Sequence, residues 1–370
     1  MRILIIHPES AYFAGAEKVL GYFLQELAVE NHQVAVAVVH GSRMAGLLPP
    51  KIIPVWIEDG KKFSLGVIWR QAQALKQERA EFPFDLVHGW AARDWELTSL
   101  TGWLCRCPAI GTLHDHPNAA FISGKRRRLM RWCARAGLKK IACVSSAVQN
   151  ACAEAGYPAH KLAVIHNGLP VVADPPDGRV PGPFRIGFLG AFSERKGLRD
   201  FFRIADGLSI DGGKPWELHL AGNAQDEGGE RLLAELRGYY ETKSWWRCVH
   251  WHGWVESPRD FLQTLDLLIV PSSEFDPFPT VLLEAGQSGV PVLAARVGGV
   301  PEIVVDGQTG WLFEPGNVPQ AVEKLNQAMA QTGSRRQMRC QAIERIKKEF
   351  SAVKMVAEYG RIYSTLPTNV

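Results

Sequence analysis

Five acidic residues and a proline-rich turn lie in the stretch from 266 to 302, DLLIVPSSEFDPFPTVLLEAGQSGVPVLAARVGGVPE. Its apolar start predicts a buried strand that ends at Pro271. A helix is then expected from Pro279 or Thr280 to about Gly289, because proline at the first turn removes an N–H that would be unpaired there. The remaining free N–H groups at such a helix start can bind an anion such as a diphosphate. They belong to Thr280, Val281 and Leu282.

Asp276 precedes this turn and Glu284 follows it in the predicted helix. A carboxylate beside a phosphate seat needs another partner, because like charges repel. Vicinal hydroxyls of a sugar or ribose supply such partners. Taken alone, Asp276 is better explained as a helix cap and Glu284 as a solvated helix residue. The proline-rich turn and the GGVPE that follows favour hydroxyl binding for the pair.

This segment resembles the donor-binding motif of the family-4 retaining glycosyltransferases, ExFGxxxLEAMAxGxPVxAxxxGGxPE, with two glutamates separated by seven residues. The resemblance implies a GT-B fold and makes Asp276 catalytic, with Phe278 and Glu284 also binding the nucleotide-sugar donor. Aspartate replaces the first glutamate here, so its reach is shorter and the donor sugar stays open. Glu274 is a possible substitute, although its spacing does not fit the motif.

A second segment, GFLGAFSERKG at 187–197, predicts a strand that turns through glycine into a helix, with Arg195 and Lys196 at the turn. Two cations beside a pyrophosphate stabilise the charge on a leaving group. The segment is similar to the family pattern GRxxxxKG, which implies that Lys196 is catalytic. Ala191 stands where that pattern has arginine, so we expect Arg195 to supply the second charge. Surface cations in a loop are the alternative.

Three further segments carry candidate residues. The strand AIGTLHDHP at 109–117 places His114 at its carboxyl end, where the family has a histidine in a similar context. The resemblance implies that His114 is catalytic and hydrogen-bonds the transferring sugar or orients an acceptor hydroxyl. The loop YFAGAEKV at 12–19 resembles the family's GGxE turn, with Gly15 approaching the donor phosphates; an ordinary turn explains it equally well. In VHWHGWV at 249–255, Trp254 either stacks on the nucleobase or fills core.

No resident metal or cofactor is expected. The chain contains no DxD sequence, and the metal interpretation of His114, Asp115 and His116 is weak because no third ligand follows at a recognisable spacing. Cys105 and Cys107 have no second pair, and the seven scattered cysteines are typical of reduced thiols in a cytosolic protein. His88 and His166 are expected to be structural. The donor is expected to be UDP- or GDP-linked.

The apolar runs predict an α/β fold of two Rossmann-like, doubly wound parallel-sheet domains that face a cleft, as in GT-B. Strand-length runs are continuous rather than alternating, which is typical of parallel strands buried on both faces. The proline- and glycine-rich stretch 169–183 predicts the linker. We therefore expect an acceptor-binding domain at 1–170, completed by a helix at 352–370, and a donor-binding domain at 183–351.

The stretch 124–140, GKRRRLMRWCARAGLKK, has eight basic residues and no acid. As a helix it would place Arg127, Arg131 and Arg135 on one face, and Leu129, Trp132, Cys133 and Ala136 on another. Such a helix suits an anionic membrane surface, and a packed surface helix is the alternative. The residues expected to meet the membrane or acceptor are Lys125, Arg127, Arg128, Arg131, Trp132 and Arg135.

The net charge of only +4 argues against nucleic-acid binding. The opening MRILIIH is too short for a signal peptide or a membrane span, so we expect a cytoplasmic protein that binds peripherally to the inner face of the plasma membrane. The expected partners are a nucleotide-sugar donor and a glycan or lipid-linked acceptor, in cell-envelope polysaccharide or lipopolysaccharide synthesis. Three alternatives stay open: a GT-B epimerase or phosphorylase, a non-catalytic glycan-binding protein, and a nicotinamide dehydrogenase, which the absence of GxGxxG disfavours.

Overall fold

A computed structural model describes residues 1–8, 14–30, 32–59, 64–120, 122–175, 182–208 and 215–367. The first two residues of the 12–19 loop, much of the 169–183 linker and the end of the predicted 352–370 helix lie outside these ranges. The chain divides into two compact units. Unit 1 comprises Met1–Pro170 and Phe350–Val370, and unit 2 comprises Val171–Glu349.

Unit 1 contains a parallel sheet in the order β3-β2-β1-β4-β5-β6-β7 among its described residues. The strand order reverses between β1 and β4, and loops at the carboxyl ends of such strands are the usual place for ligands. The strands are β1 (Arg2–Ile6), β2 (Gln33–Val39), β3 (Ile53–Ile57), β4 (Leu86–Gly89), β5 (Ala109–Leu113), β6 (Lys140–Cys143) and β7 (Leu162–Val164).

Helices cover both faces of this sheet, which explains why its strands are continuous apolar runs. Ile3 and Ile5 pack with α1 and α13 on one face, and Leu4 and Ile6 pack with α2 and α3 on the other. The helices are α1 (Gly15–Leu27), α2 (Leu65–Glu78), α3 (Trp95–Cys105), α4 (Gly124–Trp132), α5 (Ser146–Glu154) and, near the end of the chain, α13 (Ala352–Ser364).

Unit 2 has a parallel sheet in the order β10-β9-β8-β11-β12-β13 within the described ranges. Its strands are β8 (Phe184–Leu189), β9 (Trp216–Ala221), β10 (Val249–Gly253), β11 (Leu267–Val270), β12 (Val292–Ala295) and β13 (Trp311–Phe313). Its helices are α6 (Leu198–Asp206), α7 (Glu227–Tyr240), α8 (Pro258–Gln263), α9 (Thr280–Gln287), α10 (Val300–Ile303), α11 (Val318–Ala330) and α12 (Thr332–Glu349).

The predicted α/β class with two parallel-sheet domains is confirmed by these two sheets. Two edge strands, β3 and β13, were not predicted. β3 is half-exposed and contains Pro54, and β13 has three residues, so neither gives the long apolar run of a central strand. In the described part of the chain, none of the helices is both long and apolar enough to span a bilayer.

Candidate active site

Lys196 and Asp276 meet at the carboxyl edge of the unit 2 sheet. Lys196 lies in the loop that leads from β8 to α6, and Asp276 lies in the loop between β11 and α9. The Lys196 Nζ is 2.7 Å from Asp276 Oδ2, and the Ser272 hydroxyl donates to the same oxygen at 3.1 Å. The Asp276 residue is only 3% exposed, while the Lys196 side chain is about a quarter exposed. The pair therefore joins a buried carboxylate to an ammonium that solvent still reaches.

Backbone packing holds Asp276 in place. Its carbonyl oxygen accepts a hydrogen bond from the Gly299 N–H at 2.9 Å. Gly298 adopts a φ of +51°, and a Cβ on it would overlap the Asp276 carbonyl oxygen. The first two residues of GGVPE thus allow the loop after β12 to approach the loop after β11. Pro279, not Asp276, is the N-cap of α9, and it makes no side-chain capping bond, so Asp276 is not a helix cap.

A second close approach fixes the loop that carries Lys196. Gly197 has a φ of +74°, and a Cβ there would overlap the Pro271 carbonyl oxygen. The Ser273 N–H donates to the Arg195 carbonyl at 3.1 Å, and its hydroxyl donates to the Glu194 carbonyl. The Arg195 side chain is exposed beside Lys196. The residues that follow β8 and β11 therefore form one backbone-bonded surface.

The predicted anion seat at the start of α9 needs one correction. The helix begins at Thr280 and ends at Gln287, two residues earlier than expected. The Leu282 N–H was predicted to be free, but it donates a hydrogen bond to the Pro279 carbonyl at 3.1 Å. The first turn of the helix therefore closes with a 3₁₀-type bond between residues three apart. The Leu282 side chain is buried, whereas Thr280 and Val281 are half-buried at the helix start.

The other donor-binding candidates lie around this pair. Phe278 is buried beneath the turn, and Glu284 is half-buried on α9. Glu274, the possible substitute for Asp276, is exposed. Trp254 follows β10 and is 51% exposed, so the core-filling alternative for this residue is wrong.

In unit 1, His114 directly follows β5, so it and His116 lie in the loop after this strand. Its ring lies 5.3 Å from the Trp90 ring. Its Nε2 is buried and has no hydrogen-bond partner among the described residues. Desolvation lowers the His114 pKa to about 4, so the ring is neutral near pH 7. A neutral, unpaired imidazole nitrogen is suited to a hydrogen bond with a ligand.

A buried ionic cluster lies beside His114 and was not predicted from the sequence. His7, the first residue after β1, places its Nδ1 3.0 Å from Asp94 Oδ2 and its Nε2 3.4 Å from Glu17 Oε1. Arg93 Nη2 is 2.5 Å from the same Glu17 oxygen. The available signal was the position of His7 at the end of a buried strand, next to the reversal of strand order.

His7 and Glu17 are both charged in this buried cluster near pH 7. Desolvation opposes charge on His7, but the Asp94 charge and hydrogen bond, with help from Glu17, raise its pKa to about 9. Desolvation likewise opposes charge on Glu17, but His7, the Ala14 N–H and Arg93 lower its pKa to about 2. The Glu17 carboxylate also accepts from the Ala14 N–H at 2.8 Å, which fixes the start of α1 at Gly15. His7 and Glu17 therefore position the Gly15 turn.

His88 is structural, as predicted. It is fully buried, and its two ring nitrogens lie 2.8 Å from the Tyr363 hydroxyl and from Thr112 Oγ1. Cys105 and Cys107 are buried in the core against α2 and α3, as expected for small core residues. All seven cysteines are free thiols.

The basic stretch differs from its prediction. The α-helix ends at Trp132, a π-helical turn spans Cys133–Gly137, and β6 begins at Lys140. The buried residues of these two helical segments are Met130, Cys133 and Ala134. Of the predicted apolar face, Cys133 is buried as expected, whereas Leu129 is half-buried and Trp132 and Ala136 are exposed. Trp132 is 59% exposed. Of the predicted cations, Lys125, Arg128 and Arg135 are exposed, and Arg127 and Arg131 are half-buried.

The fold of the chain matches that of solved structures. HepE of Anabaena, solved in complex with UDP-glucose, superimposes with a TM-score of 0.83 over 99% of this chain and 100% of that chain, at 20% identity. The fold is therefore of the GT-B type, with two Rossmann-like domains.

Two family models match nearly the whole chain. "Glycosyltransferase Family 4" matches residues 13–172, and "Glycosyl transferases group 1" matches residues 174–345. The chain belongs to the group 1, family-4 glycosyltransferases, whose two models together cover both of its units.

Curated relatives match parts of the chain. Lipopolysaccharide 1,6-galactosyltransferase of Salmonella typhimurium is 26% identical over 50% of this chain and 51% of the relative. N-acetyl-alpha-D-glucosaminyl L-malate synthase of Bacillus anthracis is 34% identical over 30% of this chain and 29% of the relative. The chain thus spans about half, or less, of the length of these relatives.

Proposed function

We propose that this protein is a retaining, metal-independent glycosyltransferase. It moves a hexose-type sugar from a nucleoside-diphosphate sugar to a hydroxyl of a glycan or lipid-linked acceptor during cell-envelope polysaccharide or lipopolysaccharide synthesis. The observation that carries this proposal is the Lys196–Asp276 pair, which joins a cation and a buried carboxylate at the carboxyl edge of the unit 2 sheet.

Lys196 is suited to bind the donor diphosphate. An ammonium has three N–H donors, and Asp276 accepts from one of them, so others can donate to phosphate oxygens. Arg195, exposed at the preceding position, adds a second cation, and the start of α9 adds backbone dipoles at Thr280 and Val281. These groups together stabilise the negative charge that develops on the leaving phosphate.

Asp276 then has a double role. It fixes the Lys196 ammonium, and its carboxylate can also accept hydrogen bonds from hydroxyls of the transferred sugar. In the reaction, the bond between the anomeric carbon and the phosphate oxygen breaks while a bond to the acceptor oxygen forms on the same face. The acceptor proton passes to the departing phosphate oxygen, so the protein contributes positioning and charge stabilisation.

The other proposed donor-binding residues are assigned from their positions and their solvent exposure. Glu284 and Phe278 complete the donor site, and Trp254 is exposed enough to stack on the nucleobase. A UDP- or GDP-linked donor is proposed, and the complex of HepE with UDP-glucose supports uridine. His114, neutral and with an unpaired Nε2, is proposed to bind a sugar hydroxyl, and Gly15 to approach the donor phosphates.

A cytoplasmic protein bound to the inner face of the plasma membrane is proposed on the basis of the α4 surface. There the exposed cations Lys125 and Arg128 precede the exposed Trp132 by seven and four residues and so share its helix face, an arrangement that complements anionic headgroups and their interfacial layer. The proposal is tested by flotation with vesicles that contain anionic lipid. The triple variant Lys125→Gln/Arg128→Gln/Trp132→Ser should bind less, and Arg231→Gln, an exposed change in unit 2, should bind like wild type.

The transfer proposal is tested by product analysis with UDP- and GDP-sugars, with and without sugar acceptors. A transferase forms a glycoside only when acceptor is present, and proton NMR of the first product reports its anomeric configuration. Isomerisation of the donor alone would favour an epimerase, and phosphorolysis of a glycan would favour a phosphorylase. If the protein neither bound nor hydrolysed any of the nucleotide-sugar donors, a non-catalytic glycan-binding protein would be favoured.

A further inference from the structure

A cluster of imidazoles lies on unit 2 apart from the Lys196–Asp276 pair. Glu217 and His219 alternate with core residues along β9, so both point to the sheet face opposite Trp216 and Leu218. His250 is the registered partner of His219 on the neighbouring edge strand β10, and His252 lies two residues further along. Four side chains that commonly bind metals therefore share one face of two adjacent strands.

The distances bring three of these groups around one point. His219 Nε2 lies 3.3 Å from Glu217 Oε2, and His250 Nε2 lies 3.9 Å from Glu217 Oε1. One donor atom from each of the three residues lies within 4.8 Å of the others. Around a zinc ion, imidazole nitrogens lie at about 2.0–2.1 Å and a carboxylate oxygen at about 2.0–2.2 Å from the metal. Ligand atoms at these distances from one ion are separated from one another by about as much as the three atoms here.

His252 supports this arrangement from the second layer. Its Nε2 lies 3.0 Å from His219 Nδ1, and the two rings are nearly parallel. An imidazole nitrogen that accepts a proton from His219 Nδ1 leaves the Nε2 lone pair of His219 free for a metal. Hydrogen bonding of the other ring nitrogen in this way fixes the tautomer of metal-binding histidines.

Charge and exposure are also compatible with an ion. His219 is buried, His250 is exposed and Glu217 is half-buried, so a metal could enter from solvent and still have a fixed inner ligand. The competing cation is Arg185, whose Nε is 3.8 Å from Glu217 Oε2, too far for a strong hydrogen bond. A divalent ion would thus have to outcompete this weak ion pair for the Glu217 carboxylate.

We infer that Glu217, His219 and His250 form a binding site for a divalent transition metal of the zinc class, with the fourth position occupied by water. The ligand set of two imidazoles and one carboxylate suits Zn²⁺ and excludes the hard cations that need oxygen ligands. The ion would join the edge strand β10 to β9. This site is separate from the phosphate-binding groups and does not depend on the proposed transfer reaction.

Calorimetric titration of the metal-free full chain with ZnCl₂ tests the inference. Wild type should bind one ion, and the exposed-ligand variant His250→Ala should bind at least tenfold more weakly, as should Glu217→Gln. Cobalt(II) should give the intense visible absorption of a four-coordinate ion in wild type but not in His250→Ala.

Two controls separate this site from other zinc binders. Cys340→Ser removes the exposed thiol, and His160→Ala removes an exposed histidine of unit 1, and both should bind zinc like wild type. Unchanged binding in His250→Ala and Glu217→Gln, loss of binding in Cys340→Ser, or no binding by wild type would each overturn the inference. Thermal unfolding of the same variants confirms that they are folded.

Discussion

Lys196 Nζ and Asp276 Oδ2 lie 2.7 Å apart, although the two residues are 80 positions apart in the chain. Each residue was predicted from its own motif: Lys196 was expected to bind the donor phosphate, and Asp276 was expected to bind hydroxyls of a sugar. The fold places them in direct contact, so a change in either residue alters the charge environment of the other. This coupling decides how their variants should behave.

Lys196→Ala should lower the rate of sugar transfer about a hundredfold or more, by analogy with loss of one preorganised donor to a developing anion. Steady-state kinetics with a saturating acceptor measures this effect. The matched control is Lys243→Ala, which removes the lysine of another Lys–Asp pair in unit 2, with Asp206. A transfer rate within a few-fold of wild type for Lys196→Ala would disprove its role at the diphosphate.

The same pair should show coupled effects on stability. Lys196→Ala leaves the buried Asp276 without its cation, and Asp276→Asn leaves Lys196 without its anion. The double variant Lys196→Ala/Asp276→Asn contains neither unpaired charge. Its loss of unfolding free energy should therefore be smaller than the sum of the two single losses, by about 0.5–3 kcal/mol. Urea unfolding of the four proteins measures the coupling, and strict additivity would contradict a direct interaction.

Gly298→Ala should impair the site by displacing Asp276, because the new Cβ would overlap the Asp276 carbonyl oxygen. Gly307→Ala is the matched control, since Gly307 also has a positive φ, of +75°, but has open space around its Cβ position. Both variants carry the conformational cost of a side chain at positive φ, of roughly 1–2 kcal/mol. Only Gly298→Ala should lose donor binding, measured by calorimetry with the nucleoside diphosphate; equal loss in both would contradict the packing argument.

Alkaline pH should destabilise unit 1 through His7. Its folded pKa of about 9 exceeds the ordinary value of 6.5, so protonation stabilises the fold fully below pH 6.5 and this contribution disappears as the pH rises through 9. The loss is on the order of 3 kcal/mol. Urea unfolding across this range should show a steeper decline for wild type than for His7→Gln. His160→Gln, an exposed substitution, should follow wild type; identical slopes for His7→Gln and wild type would contradict a charged His7.

Sugar transfer should persist after metal removal. Lys196, Arg195 and the start of α9 are proposed to provide the charge stabilisation that a divalent cation provides in other enzymes. Activity after treatment with EDTA should therefore equal the untreated value, including when the proposed zinc site of unit 2 is emptied. An absolute requirement for added magnesium or manganese would refute this mechanism.

The central strands and the fold class followed from sequence because parallel strands buried on both faces leave continuous apolar runs. The two short or half-exposed edge strands lack that signal. The end of the helix in the basic stretch was also missed, since a π turn has no residue pattern comparable to a proline or a glycine stop.

The sequence by itself determined the candidate donor residues, because motif spacing preserves Asp276, Glu284 and Lys196 relative to their own strand and helix. Only the tertiary structure brought Lys196 onto Asp276, His7 between Asp94 and Glu17, and His219 beside His250. These contacts join residues from different strands, and their distances depend on sheet order and strand register. Spacing along one segment of chain contains no information about either.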